Sequence, residues 1–261
     1  MSKMILVIPD VHAGLDGDNE RLGKLGRLIT KRRPDSIICL GDFADMYSLS
    51  GYDSALSKAE IIGDYWEEAD AVQTALDELF DPLYKLQRKQ RRGKKKIYQP
   101  NTVLTLGNHD AGRYARVVEK DPIVLGRAIS WEDLGYQDHF NTIVPFKEFW
   151  EEDEIFFTHH MTSMMGRAIG GSINPARNIL NVAKRSIVVG HSHIYDYAIA
   201  TDVSGRRIHG LVAGCFVGDQ KFEYAKGSQH NWVDGISILN NVSDGDFDLE
   251  FISRRRIMKE Y

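Results

Sequence analysis

Cysteine is nearly absent from this chain of 261 residues. Cys39 lies in an apolar run and Cys215 between Gly214 and Phe216, which leaves neither a disulfide framework nor a Cys-x-x-Cys metal knot. Nothing near Cys215 would generate a thiolate, so it reads as buried packing and not as a nucleophile. The poverty in thiols fits a reducing, cytoplasmic setting. No apolar run approaches the roughly 20 residues a membrane span requires, and no membrane partner is expected. The first apolar run, residues 4–9, is not followed by the small-residue cleavage site of a leader and reads as a first strand. Internal repeats are missing. Net charge is only -4, so overall charge argues nothing about nucleic acid. The charge is uneven, however: Arg88-Lys89-Gln90-Arg91-Arg92-Gly93-Lys94-Lys95-Lys96 is interrupted only at Gln90 and Gly93, and Arg254-Arg255-Arg256 lies close to the end.

What is present is a globular balance, with 43% hydrophobic and 27% charged residues, and the length suits one α/β domain over residues 1–261. Short β-rich runs at 4–9, 36–40, 102–106, 154–158 and 186–189 each stop abruptly at a polar cluster. Between the first two, residues 19–33 carry helical spacing and stop at Pro34, the β-α-β opening of a parallel sheet. Residues 57–92 continue a helical pattern within an insertion at about 46–100, which should form a wall or cap; Pro82 is expected to break or kink it. A mostly helical stretch covers 113–134. Runs at 195–201, 207–213, 235–239 and 247–252 suggest a second sheet.

Each of the five strands is followed by residues able to hold a metal: Asp10 and His12, then Asp42, then Asn108 and His109, then His159 and His160, then His191 and His193. Ligands in open α/β sheets bind beyond the carboxyl ends of the strands, so distant segments can converge at one rim. Imidazole with carboxylate and without thiolate suits manganese first, with iron, zinc, cobalt or nickel as alternatives. Seven donors are enough for two ions. Such a pair, roughly 3.5–4 Å apart, polarises a phosphoryl oxygen, lowers the pKa of a bridging water and stabilises in-line displacement; a carboxylate such as Asp42 could bridge it. Taken singly, Asp-x-His, Gly-Asp and Gly-Asn-His-Asp are ordinary turn chemistry. Their ordered combination is not.

Asp10-Val11-His12, Gly41-Asp42-Phe43-Ala44-Asp45, Gly107-Asn108-His109-Asp110, a later histidine, and Gly190-His191-Ser192-His193 resemble, in that order, the calcineurin-like metallophosphoesterase family. The resemblance runs from residue 10 to residue 193. It implies a sandwich of two β-sheets flanked by helices, in four layers α/β/β/α. It also implies that Asp10, His12 and His193 hold one metal, that Asn108, His159 and His191 hold the other, and that Asp42 bridges. His109 would be the catalytic acid, oriented by Asp110, and a metal-bridging hydroxide would attack the phosphoester. Of the neighbouring pair His159 is preferred as ligand, because adjacent strand residues point oppositely; His160 would contact substrate, hydrogen-bond behind the ligands, or pack. Asp45 either matches a carboxylate the family often has or caps a turn.

Substrate is less legible. The Asp after Gly-Asn-His tilts the reading toward a phosphodiesterase on a nucleotide or DNA, the alternatives being a phosphomonoesterase and a non-catalytic interaction module. Arg113 is a candidate for a substrate phosphate, against a plain surface arginine. The basic run 88–96 reads as a solvated turn, with a polyphosphate dock as the other reading. Tyr47, Tyr52, Trp66 and Trp131 could stack on a base, though Trp66, at helical spacing, reads as core. His209, Asp219, His230 and Trp232 match no motif and read as structural or substrate-side.

Overall fold

The computed structural model describes residues 3–50, 57–163, 166, 168–169, 173–222, 225 and 227–261. Tyr52 lies outside them. Four strands, β1 (Lys3–Ile8), β2 (Ser36–Cys39), β3 (Asn101–Thr105) and β4 (Thr142–Val144), pair in parallel in that order. The second sheet has at its centre the parallel strands β6 (Ile155–Thr158), β9 (Ser186–Val189) and β11 (Arg207–Ala213). Its antiparallel edges are β5 (Trp150–Glu152) and β10 (Tyr195–Thr201). A short pair, β7 (Met161–Thr162) and β8 (Ala168–Ile169), lies apart.

Alternation along the strands sets the layers. In β1, Ile5 and Val7, with Ile38 and Val103 of the neighbouring strands, face the second sheet and pack with its Phe157, Val188 and Leu211. Leu6 and Ile8 face the helices. A strand covered on both faces must be a continuous apolar run, which is how residues 4–9 read. The helical layer over the first sheet is α1 (Glu20–Arg32), α2 (Lys58–Arg92) and α6 (Arg254–Glu260), and α5 (Pro175–Ala183) covers the second. With the short α3 (Arg113–Lys120) and α4 (Leu125–Ala128), this is the four-layer sandwich that the resemblance implied. Among the described residues no helix is long and apolar enough to cross a membrane.

Three expectations need correction. Residues 235–239 and 247–252 do not join a second sheet: β12 (Gly235–Ser243) pairs antiparallel with β1, and β13 (Asp246–Ser253) with β12, so the hairpin extends the first sheet. Strand β2 covers one edge of β1, and β12 partners the row of buried backbone groups on the other edge. Of the two outcomes expected at Pro82, a break or a kink, the break does not occur: α2 is a single helix of 35 residues opened by a Ser57–Glu60 capping box. An interior proline costs about 3 kcal/mol. Tyr65, Ala69, Val72, Leu76, Leu79, Phe80 and Leu83 bury one face on both sides of it, at about 1.5–3 kcal/mol for each large side chain, and that outweighs the loss. Gly26 of α1 lets the two helices meet there, since a Cβ would lie 2.3 Å from the Leu79 carbonyl oxygen and 2.9 Å from Pro82 Cγ. Trp66, read as core, is 44% exposed with its ring edge-on to Tyr65, because it sits off the buried stripe. Trp131 does pack against the core.

Candidate metal centre

The loops after β1, β2, β3, β6 and β9 bring all seven expected donors together at one rim spanning both sheets. His193 Nε2 lies 3.0 Å from Asp10 Oδ2 and 3.1 Å from His12 Nε2. His159 Nε2 lies 3.2 Å from Asp42 Oδ2, 3.0 Å from Asn108 Oδ1 and 3.2 Å from His191 Nδ1. Asp42 Oδ2 is also 4.0 Å from His12 Nε2, which puts it between the two sets. Asp10, His12 and His193 present ligand atoms within 4.8 Å of one another, as do Asp10, Asp42 and His159, and His159, His160 and His191.

Local backbone explains the motif residues. His12, Asp42, His191 and His193 have φ of 49°, 45°, 70° and 59°, a left-handed conformation that costs a side-chain-bearing residue about 1–3 kcal/mol and clusters at functional sites. The carboxylates hold these turns: Asp10 accepts from the His191 backbone N–H at 2.9 Å, and Asp42 Oδ1 accepts from that of His109 at 2.7 Å. Such closeness needs glycine opposite. A Cβ on Gly107 would lie 2.1 Å from Asp42 Oδ1, and one on Gly190 would lie 2.3 Å from Asp10 Oδ1. Arg21, fully buried on α1, donates to the carbonyls of Val11 and Phe216 at 2.9 Å each and ties the first loop to the carboxyl-terminal segment.

The donor set fits divalent ions. His12 Nδ1 bonds Asp45 Oδ1 at 2.9 Å, and His159 Nδ1 donates to the Leu40 carbonyl at 2.8 Å, so each ring turns a lone pair on Nε2 toward the cluster. His160 Nδ1 is buried with no hydrogen-bond partner among the described residues. Burial and the neighbouring His109 lower His12 to about 4; burial and the neighbouring His159 lower His191 to about 4. His159 is the exception: burial opposes its charging, but Asp42 and Asp10 outweigh burial and raise it to about 9. A metal must displace that proton. Apparent Mn²⁺ affinity is therefore expected to rise with pH, by about tenfold per unit for one proton, and to level off near 9. Titration calorimetry on metal-stripped protein checks this, and an affinity flat from pH 6.5 to 9 would contradict it.

His109 stands in the first turn after β3, a wide turn closed by the Arg113 backbone N–H on the Asn108 carbonyl. The resemblance makes Asp110 its orienting carboxylate, and the carboxylate placed against the Nδ1 edge of its ring is Asp45. His109 Nδ1 donates to the Asp45 carbonyl oxygen at 2.8 Å and lies 3.1 Å from Asp45 Oδ1, the oxygen that also holds His12. Asp110 is turned inward, accepting from the backbone N–H groups of Ala44 and Gly107 and from the Tyr136 hydroxyl at 2.6 Å, and so fastens two site loops together. Burial opposes a charged His109, but Asp42 and Asp45 prevail and raise its pKa. Arg113 is no plain surface residue. It donates to the carbonyls of Asp45 and Met46 at 2.6 and 2.9 Å, with its other nitrogen 3.2 Å from His109 Nε2.

Both members of the pair after β6 reach the site, His160 lying ring to ring with His191 at 4.7 Å. Pairing of β6 stops at Thr158, and past it the alternation of directions no longer applies. Of the carboxyl-terminal wall, the sequence reading named Trp232, as structural or substrate-side, and missed Phe222. Trp232 stands edge-on to His193 at 4.0 Å and Phe222 edge-on to His12 at 5.4 Å, and neither belongs to any spaced motif. Asp45 did carry a signal, its place three residues after Asp42.

The calcineurin-like phosphoesterase family model matches residues 3–195. No curated protein matches the chain. Among solved structures, it is similar to a predicted phosphoesterase from Streptococcus pneumoniae TIGR4, at 12% identity and TM-score 0.41 over 98% of this chain and 91% of that one. It is also similar to Yfce, a phosphoesterase from E. coli, at 13% and 0.38 over 96% and 98%. A third is the nuclease MPE of Pseudomonas putida, at 16% and 0.33 over 91% and 84%. The matched span runs from β1 through the Gly-His-Ser-His element, and the chain belongs to the calcineurin-like phosphoesterase family, whose members are metal-dependent hydrolases.

Proposed function

We propose that this phosphoesterase hydrolyses a phosphodiester of nucleotide or nucleic-acid type at a centre of two divalent ions, manganese first among the candidates. Asp10, His12 and His193 would hold one ion, Asn108, His159 and His191 the other, and Asp42 both. When bound, the ions neutralise charge on the phosphoryl oxygens and lower the pKa of water. The protein supplies the rest: Asp45 holds His109 in one orientation, and His109 delivers a proton to the leaving oxygen. Arg113 steadies the loop carrying Asp45 and presents charge beside His109 Nε2.

The observation that favours a diester is the cavity of about 370 Å³ beside His12 and Asp45. Among the described residues, Asp16, Asp45 and Glu68 line it against a single lysine, Lys221, a poor setting for the dianion of a monoester. Leu15, Tyr47 and Phe222 offer apolar and aromatic surface for a second, uncharged substituent. Metal-stripped protein reloaded with Mn²⁺ should turn over bis-p-nitrophenyl phosphate faster than p-nitrophenyl phosphate. The reverse preference would make the chain a monoesterase.

His109→Ala should keep its metal and lose turnover by about 10²–10⁴-fold with little change in KM. The wild type depends on the protonated imidazole, whose pKa is raised, so activity persists through neutrality and falls as pH rises past that value. The alkaline limb should be missing from His109→Ala. Unchanged turnover would remove His109 from the mechanism.

A further inference from the structure

The parallel strands β1, β2 and β3 all end at the metal rim, so the segments that enter them lie at the opposite rim. The basic run 88–96 is one of these, carried by the last turns of α2 and the turn that leads into β3. Glu68 of the same helix lines the cavity beside His12, and Arg92 is twenty-four residues further along, about 36 Å away at 1.5 Å per residue. The run cannot touch a phosphate held between His12 and His191. Its charge serves something else.

The turn is built, not loose. Backbone N–H groups of Gly93, Lys94 and Lys95 bond back to the carbonyls of Lys89, Arg91 and Gln90. Buried Gln90 accepts from the Tyr98 backbone N–H at 3.0 Å, Gln87 donates to the Tyr98 carbonyl at 3.0 Å, and the Tyr98 hydroxyl donates to the Pro34 carbonyl at 2.7 Å. Lys94 has φ of 50°, a conformation glycine adopts more cheaply, so a lysine is held there against backbone preference. Arg88 is offset by Asp81, which also takes Lys85. Among the described residues, Lys89, Arg91, Arg92, Lys94, Lys95 and Lys96 make no ion pair, and all six are exposed. In the other basic run, by contrast, Arg254 is paired with Asp219 and Asp234, and Arg256 with Glu260.

We infer that this rim is a second binding surface that takes the phosphate backbone of duplex nucleic acid, away from the metal centre. Six unneutralised cations packed into two turns match a repeating line of phosphates, and binding releases counterions from it. The run offers no exposed aromatic ring on which unpaired bases would stack, which favours a duplex over a single strand. No exposed large apolar side chain lies within it either, so it lacks the anchor that seats a basic surface in a lipid interface. The docking does not depend on which phosphoester is cleaved, because its readout is binding.

The test is fluorescence anisotropy of a labelled phosphorothioate duplex of about 20 base pairs with the full chain and its metal, over a salt series. Log affinity should fall linearly with log salt. Lys89→Gln/Arg91→Gln/Arg92→Gln, which leaves the turn itself untouched, should weaken binding at least tenfold and make the slope shallower by about 2–3. Lys94→Glu/Lys95→Glu/Lys96→Glu should weaken it further, and bis-p-nitrophenyl phosphate turnover should be unchanged in both variants. Affinity and slope unaltered in both would overturn the inference. So would saturable binding to phosphatidylserine vesicles without binding to the duplex, which would make the surface a membrane contact. A failure of diester turnover in the wild type would overturn the proposed reaction and leave this surface standing.

Discussion

Asp42→Ala should lose bound metal and phosphoester turnover together, the second by more than about a thousandfold. One buried carboxylate carries several contacts there. Its Oδ2 lies 3.2 Å from His159 Nε2, 3.8 Å from His109 Nε2 and 4.0 Å from His12 Nε2, while Oδ1 accepts from the His109 backbone N–H. Metal analysis and calorimetric melting with and without Mn²⁺ check the result. The wild type should melt higher with metal, because a ligand that binds the folded state alone stabilises it, and the variant should not. Without metal the variant should still be destabilised by about 1–3 kcal/mol through the orphaned His109 N–H. The pH dependence has a definite sign. Burial opposes ionisation of Asp42, but His159 and His109 outweigh it and hold the carboxyl well below its ordinary range. Its contribution is then fully present above an unfolded pKa of about 3.9 and is lost as pH falls below it. Acid destabilisation of metal-free protein should accordingly be shallower in Asp42→Ala. A variant that kept its metal would remove Asp42 from the ligand set.

Strand ends made the centre legible in the sequence. Each candidate ligand follows a short apolar run that reads as a buried strand, and the ordered spacing then left little choice about where the side chains of Asp10, Asp42, His159 and His191 would meet. What escaped was whatever depends on contacts between segments remote in sequence. The resemblance gives the orienting role to Asp110, which stands next to His109. Adjacent residues in a wide turn diverge, however, and Asp45, from a different loop, fills the place beside the ring. Trp232 and Phe222 reach the site because the β12–β13 hairpin closes the open side of β1 and draws the segment before it past Asp10, where the Phe216 backbone N–H bonds the Asp10 carbonyl at 2.7 Å. No local period encodes that approach. The continuity of α2 through Pro82 was hidden for the same reason, since the compensating packing on Gly26 comes from another helix.

Gly107→Ala and Gly190→Ala should each abolish metal binding although neither residue is a ligand. Neither glycine has a positive φ, so alanine meets no φ penalty at either position, although at Gly107 the added carbon would also lie 2.5 Å from the Asp42 backbone nitrogen. The conflict is steric and local. The added carbon would sit 2.1 Å from Asp42 Oδ1 in one case and 2.3 Å from Asp10 Oδ1 in the other, well inside contact distance. Each carboxylate is fully or almost fully buried, and the oxygen that would be struck is the one that accepts a backbone N–H, so it cannot swing away without leaving that N–H unpaired. Metal content and turnover should collapse in both variants by at least the 10- to 100-fold that loss of an orienting contact costs, roughly. The control is Gly63→Ala, exposed in α2 with nothing within 4 Å of its added carbon, which should instead stabilise the protein by about 0.5–1 kcal/mol and leave activity intact. Full metal occupancy in Gly107→Ala or Gly190→Ala would mean that the corresponding carboxylate has room to shift and still bind. In that case the glycines of these two motifs would serve only the turn, and the close approach of Asp42 and Asp10 to the backbone would not be what forms the centre.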